Sequence, residues 1–406
     1  MRSGWCEKHL GEICELVNGR GFKPHEWRKQ GLPIIRIQNL NGSQDFNYFE
    51  GEYNPKIVVN SGQLLFAWSG SRGASFGPHI WRGPRGVLNY HTWKVIPKEG
   101  TDRDFLFQLL EFETQKIEAS SHGASALVHV QKGDMEQRLF DIPHIEEQRK
   151  IAEILRTWDL GVEKLEALQA AKMQRHRALT HSLVFGTRQL DRFHTTDQVT
   201  PHRWFTLPAS WGSLPIGKLA REIAERNAEG EQHEVLSCSK YDGFVRSLEY
   251  FKKQVFSADL SGYKKIWRGD FGFPSNHVEE GSIGLQNLID IGVVSPIYTV
   301  FRFDPKKVDG AYAFAVLKTG LYRHIFEVST SASVDRRGSL RWSEFSKLPF
   351  PLPPLAEQQA IAEVLHTAQR DLDALSNEID LLTRQKRGLM QKLLTGEWRV
   401  KVEEAA

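Results

Sequence analysis

The sequence predicts an α+β (mixed α/β) chain in which two strand-rich globular units are separated by two long helices that pair as an intramolecular coiled coil. Three observations predict it: a length of 406 residues, an ungapped internal repeat, and heptad spacing inside that repeat. A chain two to three times the usual domain size needs more than one hydrophobic core. Its 40% hydrophobic and 11% aromatic residues supply such cores and argue against disorder.

The repeat organises the chain. FDIPHIEEQRKIAEILRT from Phe140 aligns without a gap on FPLPPLAEQQAIAEVLHT from Phe350, at a constant offset of 210 positions, and the match runs on to Gly186 and Gly396. About 14 of 47 aligned positions are identical, against a chance level of roughly one in seventeen, so duplication is the simplest cause.

Within the second copy, Ile361, Leu365, Ala368, Leu372, Leu375, Ile379, Leu382, Lys386, Leu389 and Leu393 step by four and three residues in turn, which is a coiled-coil seam. The first copy keeps Ile151, Leu155, Trp158, Val162, Leu165, Leu179 and Leu183 but sets Gln169, Lys172 and His176 on the seam, so its middle is weaker. Prolines just ahead of each stretch and Gly186 and Gly396 just beyond mark the helix ends. A helix of about 40 residues spans roughly 60 Å, too long to be buried in one small domain. An ordinary pair of bundle helices is the plainer alternative; the seam favours a coiled coil between separate globular units.

The organisation that follows is a globular unit over 1–139, a helical region over 140–186, a polar connector over 187–207, a second globular unit over 208–348 and a second helical region over 349–400. Short β-branched and aromatic runs broken by glycine predict strands, as in LPIIRIQNL from Leu32, GQLLFAWSG from Gly62 and GVVSPIYTVFRF from Gly292. Helical stretches, DFLFQLLEFETQKIEAS from Asp104 and AYAFAVLKTGLYRHIFEV from Ala311, occupy matching places ahead of the two repeats.

Composition excludes several classes. Cys6, Cys14 and Cys238 are too few and too scattered for a disulfide framework or a zinc cluster. No signal-like leader and no run of about 18 apolar residues occurs, so a cytoplasmic protein with no membrane partner is expected. The net charge of +3 permits nucleic-acid binding without announcing it.

Two motifs carry a resemblance over essentially the full length: the doubled proline-led Glu-Gln-x-x-Ile-Ala-Glu-x-Leu (PHIEEQRKIAEIL, PPLAEQQAIAEVL), and the openings WCEKHLGE from Trp5 and LPASWGSLPIGK from Leu207. IRIQNLNG from Ile35 is similar to an early strand of the same family. The chain resembles the specificity subunits of type I restriction-modification systems. The resemblance implies two target-recognition domains that each read half of a bipartite double-stranded DNA target, and an antiparallel helix pair that sets the distance between them. It also implies a pseudo-twofold axis, docking of two methyltransferase subunits, and restriction subunits joining through that complex. S-adenosylmethionine, ATP and magnesium would belong to those partners, with no cofactor, metal or catalytic residue in this chain.

The residues agree on the last point. GSLPIGKL from Gly212 has the outline of a phosphate loop, but Leu219 stands where Ser or Thr must hold magnesium. HEVLS from His233 lacks the second histidine of a zinc helix, and NPK at Asn54 is only a near miss to a methyltransferase motif.

Phosphates demand Lys, Arg and backbone donors, whereas base edges demand Arg, Asn, Gln and similar groups. By that chemistry the first unit offers Arg36, Gln38, Asn39, Ser71, Arg72, Asn89 and His91 as DNA contacts. The second offers Ser239, Lys240, Tyr241, Lys264, Lys265, Arg268, Asn276, His277, Arg336, Arg337 and Arg341. The loop SVDRRGSLR corresponds to an apolar SALVHVQKG in the first half, so the halves should read different sequences. Rival readings are a coiled-coil adaptor that binds proteins and no DNA, and a DNA-modifying enzyme with dispersed acidic residues. Two differing, Arg/Lys-bearing units argue against the first, and the lack of a recognisable metal site argues against the second.

Overall fold

The computed structural model describes residues 4–120, 127–330 and 339–401. The chain divides into two compact units, one made of Met1–Glu166 with Asn377–Ala406, the other of Ala167–Ser376. Each contains one globular part and one half of both long helices, Ile145–Val184 and Leu355–Leu394, which are 40 residues each.

Both globular parts repeat one frame. In the first, an antiparallel sheet orders strands Cys14–Asn18, Thr92–Pro97, Leu64–Ala67 and Gly77–Ile80. In the second, the same order is Ala220–Glu222, Tyr298–Phe303, Phe271–Pro274 and Gly284–Leu285. The chain enters and leaves each part side by side, because Trp5–His9 pairs with Leu139–Pro143 and Gly212–Pro215 pairs with Pro349–Leu352. The exit strand runs directly into the long helix.

Around this frame the parts differ. The first adds a sheet of Asn47–Phe49, Leu32–Ile35, Gly86–Leu88 and Val58–Val59 over its own small core of Ile34, Ile35, Val59, Val87 and Leu88. The second adds a hairpin, Leu236–Ser239 with Gly243–Arg246, and a ladder, Lys264–Trp267 with Ile291–Val294. Two expected strands are shorter than their apolar runs. LPIIRIQNL ends as a strand at Ile35 and turns into a helical segment, Ile37–Leu40, because the Asn39 Oδ1 accepts from the Arg36 N–H at 3.0 Å and starts the turn. Of the stretch IRIQNLNG, Ile35 alone lies in a strand. The stretch from Ala311 forms two helices, Gly310–Leu317 and Gly320–Ser329, because Thr319 caps the second through the Tyr322 N–H.

The helix pairing is antiparallel within each unit. In the first, Ile151, Ala152 and Leu155 share a core with Met390, Leu393 and Leu394, while Asp159, one turn further on, meets Lys386, one turn back. In the second, Lys172 reaches Asp371 at 2.5 Å and Leu183 packs with Ile361 and Leu365. Ile151, Leu155, Leu183, Ile361, Leu365, Leu372, Leu375, Ile379 and Leu393 are buried, and Trp158, Val162, Leu165, Leu179, Leu382 and Leu389 are half-buried. Lys386, the odd residue of the seam, is only 6% exposed; its Nζ lies between Asp159 and both Glu111 oxygens, at 2.9 and 3.0 Å. Both helices end alike: Gly186 (φ 66°) and Gly396 (φ 65°) take the left-handed conformation that an L side chain resists.

In each unit the glutamate of the Glu-Gln pair binds the tryptophan, and the glutamine binds backbone. Gln148, fully buried, accepts from the Asp102 N–H at 2.9 Å and donates to the carbonyls of Gly100 and Pro143. Gln358 repeats this with Asp309, Lys307 and Pro353. The Trp5 indole N–H donates to Glu147 at 3.2 Å, and the Trp211 indole to Glu357 at 3.0 Å. Each globular part is thus tied to the start of the helix that follows it by neutral and charge-assisted bonds out of water.

A residue five positions past the end of each helix completes the carboxylate's partners, and here the copies differ. Arg399 donates to Glu147 through Nε at 2.7 Å and a terminal nitrogen at 2.8 Å, while its repeat equivalent Gln189 donates to Glu357 at 3.3 Å. The first carboxylate faces a cation, the second an amide.

Candidate nucleic-acid interface

In the first unit the candidates gather at one end of the shared sheet, where Leu64–Ala67 finishes and Thr92–Pro97 begins. The Asn89 N–H donates to the Ile35 carbonyl at 3.0 Å, which sets Asn89 beside Arg36. The Arg36 guanidinium lies over the Trp27 ring at 5.2 Å, an arrangement that holds the side chain in place. Tyr90, 46% exposed, lies 3.7 Å from the His91 ring between centroids.

Trp68, which closes the first strand, anchors this end. Its indole N–H donates to the Tyr90 carbonyl at 2.9 Å, and its ring contacts His91 and His129 at 5.3 and 5.0 Å. Ser69–Ser71 continues from Trp68 and pairs with Leu127–His129, so Ser71 and the exposed Arg72 belong to the same edge. Burial and the neighbouring His129 lower the His91 pKa, so the neutral imidazole is favoured there. The edge presents amide, hydroxyl, aromatic and guanidinium groups together.

Two residues of this unit have other work. Asn39 is 5% exposed and its amide donates to the carbonyls of Ser43 and Asp45, both at 3.0 Å, so it builds the turn. Gln38, exposed, donates to the Asp45 carbonyl at 3.2 Å. Trp68 and His129 were absent from the sequence-based set: Trp68 reads as the end of an apolar strand, and His129 sits in a stretch that reads as apolar.

In the second unit the corresponding strand ends carry a different edge. Lys240 and Tyr241, the latter 79% exposed, form the tip of the hairpin. The Lys318 amine donates to the carbonyls of Lys240 and Gly281 at 2.9 and 3.0 Å, and so joins the tip to the turn that begins at His277. The Leu340 N–H donates to the Ser275 carbonyl at 2.8 Å, which brings the exposed Arg341 beside Asn276 and His277. Arg336 and Arg337 lie outside the described residues. His277, Glu279 and Glu280 hold donor atoms within 4.8 Å of one another, and the His277 ring faces Glu280 at 3.4 Å, so this turn is locally acidic.

The remaining candidates divide by their partners. Ser239, 5% exposed, takes the N–H groups of Tyr241 and Asp242 and shapes the hairpin tip from inside. Lys265 is 9% exposed and faces Glu225, Glu229 and Glu231 at 3.8, 3.7 and 3.3 Å, a charge already balanced. Lys264 donates to the Tyr298 carbonyl at 2.5 Å, and burial lowers its amine's pKa. Arg268 is bound to Asp290 at 3.0 Å at the opposite end of its strand. Arg36, Asn89, Tyr90 and His91 in one unit, and Lys240, Tyr241, Asn276 and Arg341 in the other, are the groups that the fold brings together at strand ends.

Comparison with known proteins bears on what these edges serve. Residues 2–172 and 269–384 match the model of the type I restriction modification DNA specificity domain. The chain is 24% identical over 363 residues to the type I restriction enzyme MjaVIII specificity subunit of Methanocaldococcus jannaschii, covering 86% of this chain and 82% of that one. It is 21% identical over 438 residues to the EcoBI specificity subunit of Escherichia coli, covering 98% and 88%.

Two solved structures share the fold. One, from work on complex assembly and conformational transition of the type I R-M system, matches with a TM-score of 0.57 at 18% identity, covering 98% of this chain and 99% of that one. The other, the type I S subunit from M. genitalium, matches with a TM-score of 0.52 at 13% identity over 96% of each. With more than half of its length matched by the family model and the doubled frame described above, the chain belongs to the type I restriction modification DNA specificity family.

Proposed function

We propose that the chain is the DNA-recognition subunit of a type I restriction-modification complex, in which each unit reads one half of a bipartite target and the helix pair docks methyltransferase subunits. The observation that carries this is the repetition of one frame with two different edges. A duplicated scaffold that keeps its Gln148/Gln358 and Trp5/Trp211 ties while changing the groups at its strand ends is suited to reading two unlike half-sites. The doubled helices, which end alike, support two methyltransferase subunits per chain, with restriction subunits joining through them. Leu160, Leu168, Met173 and Leu381, 42–54% exposed on the helices, are apolar groups such docking would cover. Methyl transfer with S-adenosylmethionine and ATP-dependent cleavage with magnesium fall to the partners; this chain supplies binding and spacing.

Single-molecule methylome sequencing of a host carrying this chain and its methyltransferase, against a host lacking only this chain, tests the reading. Adenine methylation at a split motif is expected to vanish without the chain. Methylation unchanged at the same motif would move the protein to the adaptor reading.

Single substitutions divide recognition from assembly. Arg36→Ala and Arg341→Ala are each expected to weaken binding of the target duplex by roughly tenfold or more, the loss of about 1–3 kcal/mol for one good base or phosphate contact, while methyltransferase co-purification is unchanged. Fluorescence anisotropy of the assembled complex measures it; a variant that loses assembly instead would contradict the division.

A further inference from the structure

Between the hairpin and the Lys264–Trp267 strand of the second unit, residues 247–256 (SLEYFKKQVF) form an arch whose crest joins none of the hydrophobic cores of the described residues, its Tyr250 and Phe251 rings meeting edge to face at 5.0 Å between centroids. Its first residue is fixed: Ser247 is 1% exposed, its N–H donates to the Val235 carbonyl at 3.0 Å, and its hydroxyl bonds that of Ser237 at 2.7 Å. Its last residue is held as well, since Phe256 packs on the small core of Val235, Leu260, Tyr263 and Val293. Between these anchors Leu248, Tyr250, Phe251 and Val255 are 56, 49, 41 and 49% exposed. The short helix of the first unit behaves otherwise, with Leu40 and the following Phe46 packed on its core. Four large apolar side chains set side by side in water mark a contact surface.

Charge indicates its occupant. Lys252 and Lys253 stand exposed on the crest, and neither has a carboxylate within ion-pair distance among the described residues. Lys252 holds φ 54°, the one positive φ outside glycine among the described residues, a conformation that costs an L-residue about 1–2 kcal/mol. Lys252 is the C-cap of the short helix Ser247–Phe251, where its N–H donates to the Leu248 carbonyl at 3.0 Å, so the backbone bond fixes where the crest turns. Paired lysines beside Tyr, Phe and Leu suit a DNA backbone and groove: ammonium groups take phosphates while rings and aliphatic groups lie against sugars or wedge at a base step. The arch is also continuous with the hairpin whose tip carries Lys240 and Tyr241.

We infer that residues 248–255 form a second, sequence-independent DNA contact, in which Lys252 and Lys253 hold phosphates and Tyr250 and Phe251 pack into the duplex outside the bases read by the hairpin-tip edge. The inference rests on the DNA-recognition reading above. It gives the second unit an affinity element with no counterpart among the described residues of the first, so the two half-sites differ in how far protection extends into flanking DNA.

The test uses the complex assembled with its methyltransferase and duplexes carrying the motif found by methylome sequencing, with short or long flanks beyond the second half-site. Lys252→Ala/Lys253→Ala is expected to lower affinity about fivefold or more for the long duplex only and to flatten its salt dependence by about one to two phosphate contacts. Tyr250→Ala/Phe251→Ala is expected to shorten the footprint on that flank. Both variants should keep assembly and the methylated motif. Equal affinity on both duplexes for wild type and variants would overturn the inference, as would loss of methyltransferase binding, which would make the arch a protein-docking surface. Failure of the underlying reading looks different: the wild-type complex would then show no preference for the motif over unrelated DNA.

Discussion

Glu147→Gln is expected to destabilise the chain by about 2 kcal/mol at neutral pH, while Glu357→Gln is expected to cost less than about 1 kcal/mol or nothing. Both carboxylates accept an indole N–H, and both are nearly buried, at 5 and 2% exposure. Only Glu147 also neutralises a guanidinium, that of Arg399. An amide there would lose the ion pair and turn N–H groups toward a donor-only side chain; the cost stays below that of a fully buried pair because the Arg399 side chain is 46% exposed and solvent screens it.

At Glu357 the second partner is the Gln189 amide, and burial holds the carboxyl above its usual range. The sign follows. Above the ordinary carboxylate pKa of 4.5 the folded state binds more protons here than the unfolded one, so this site's contribution is full below that value and is lost as pH rises through the folded pKa. Glu357→Gln should therefore remove a fall in stability with rising pH. Urea unfolding midpoints between pH 4 and 8 measure both, and equal shifts for the two variants would refute the asymmetry.

A charge placed on the seam should have the larger structural effect. Leu372→Asp or Leu375→Asp puts a carboxylate where leucines are 8 and 7% exposed, with an expected cost of at least about 4 kcal/mol and loss of methyltransferase co-purification. Lys386→Ala reaches a similar cost by the opposite route, about 3–5 kcal/mol, because Glu111 and Asp159 lose the cation between them; burial already raises the Glu111 pKa. Lys386→Arg should recover part of it. Thermal unfolding and pull-down with the methyltransferase read both effects, and intact co-purification of Leu372→Asp would show that docking does not depend on the seam.

Much of the architecture is local and periodic, and so was legible in the sequence. The repeat, the helix spans and the seam follow from residues three and four apart on one helix, where side-chain spacing alone sets the face. The short strands were harder: LPIIRIQNL looks like one strand until Asn39 turns the chain, and the stretch from Ala311 looks like one helix until Thr319 caps a second. The reason is that a single side-chain bond to the backbone outweighs weak strand or helix propensity.

The candidate edges mark the limit most clearly. Residue chemistry alone selected Arg36, Asn89, Tyr241 and Arg341, which the fold gathers at strand ends, and equally selected Asn39, Ser239 and Lys265, which it buries against backbone or carboxylates. An Arg or Asn reads the same in either setting. What the sequence by itself determined is a duplicated chain with two strand-rich units, two paired helices and the family that this pattern belongs to. Only the tertiary structure decided that Trp5 and Trp211 exist to hold Glu147 and Glu357, that Lys386 belongs on an apolar seam, and which polar groups remain available. Those outcomes depend on partners more than a hundred residues away in the chain, and sequence spacing carries no record of which distant group will neutralise or satisfy a buried one.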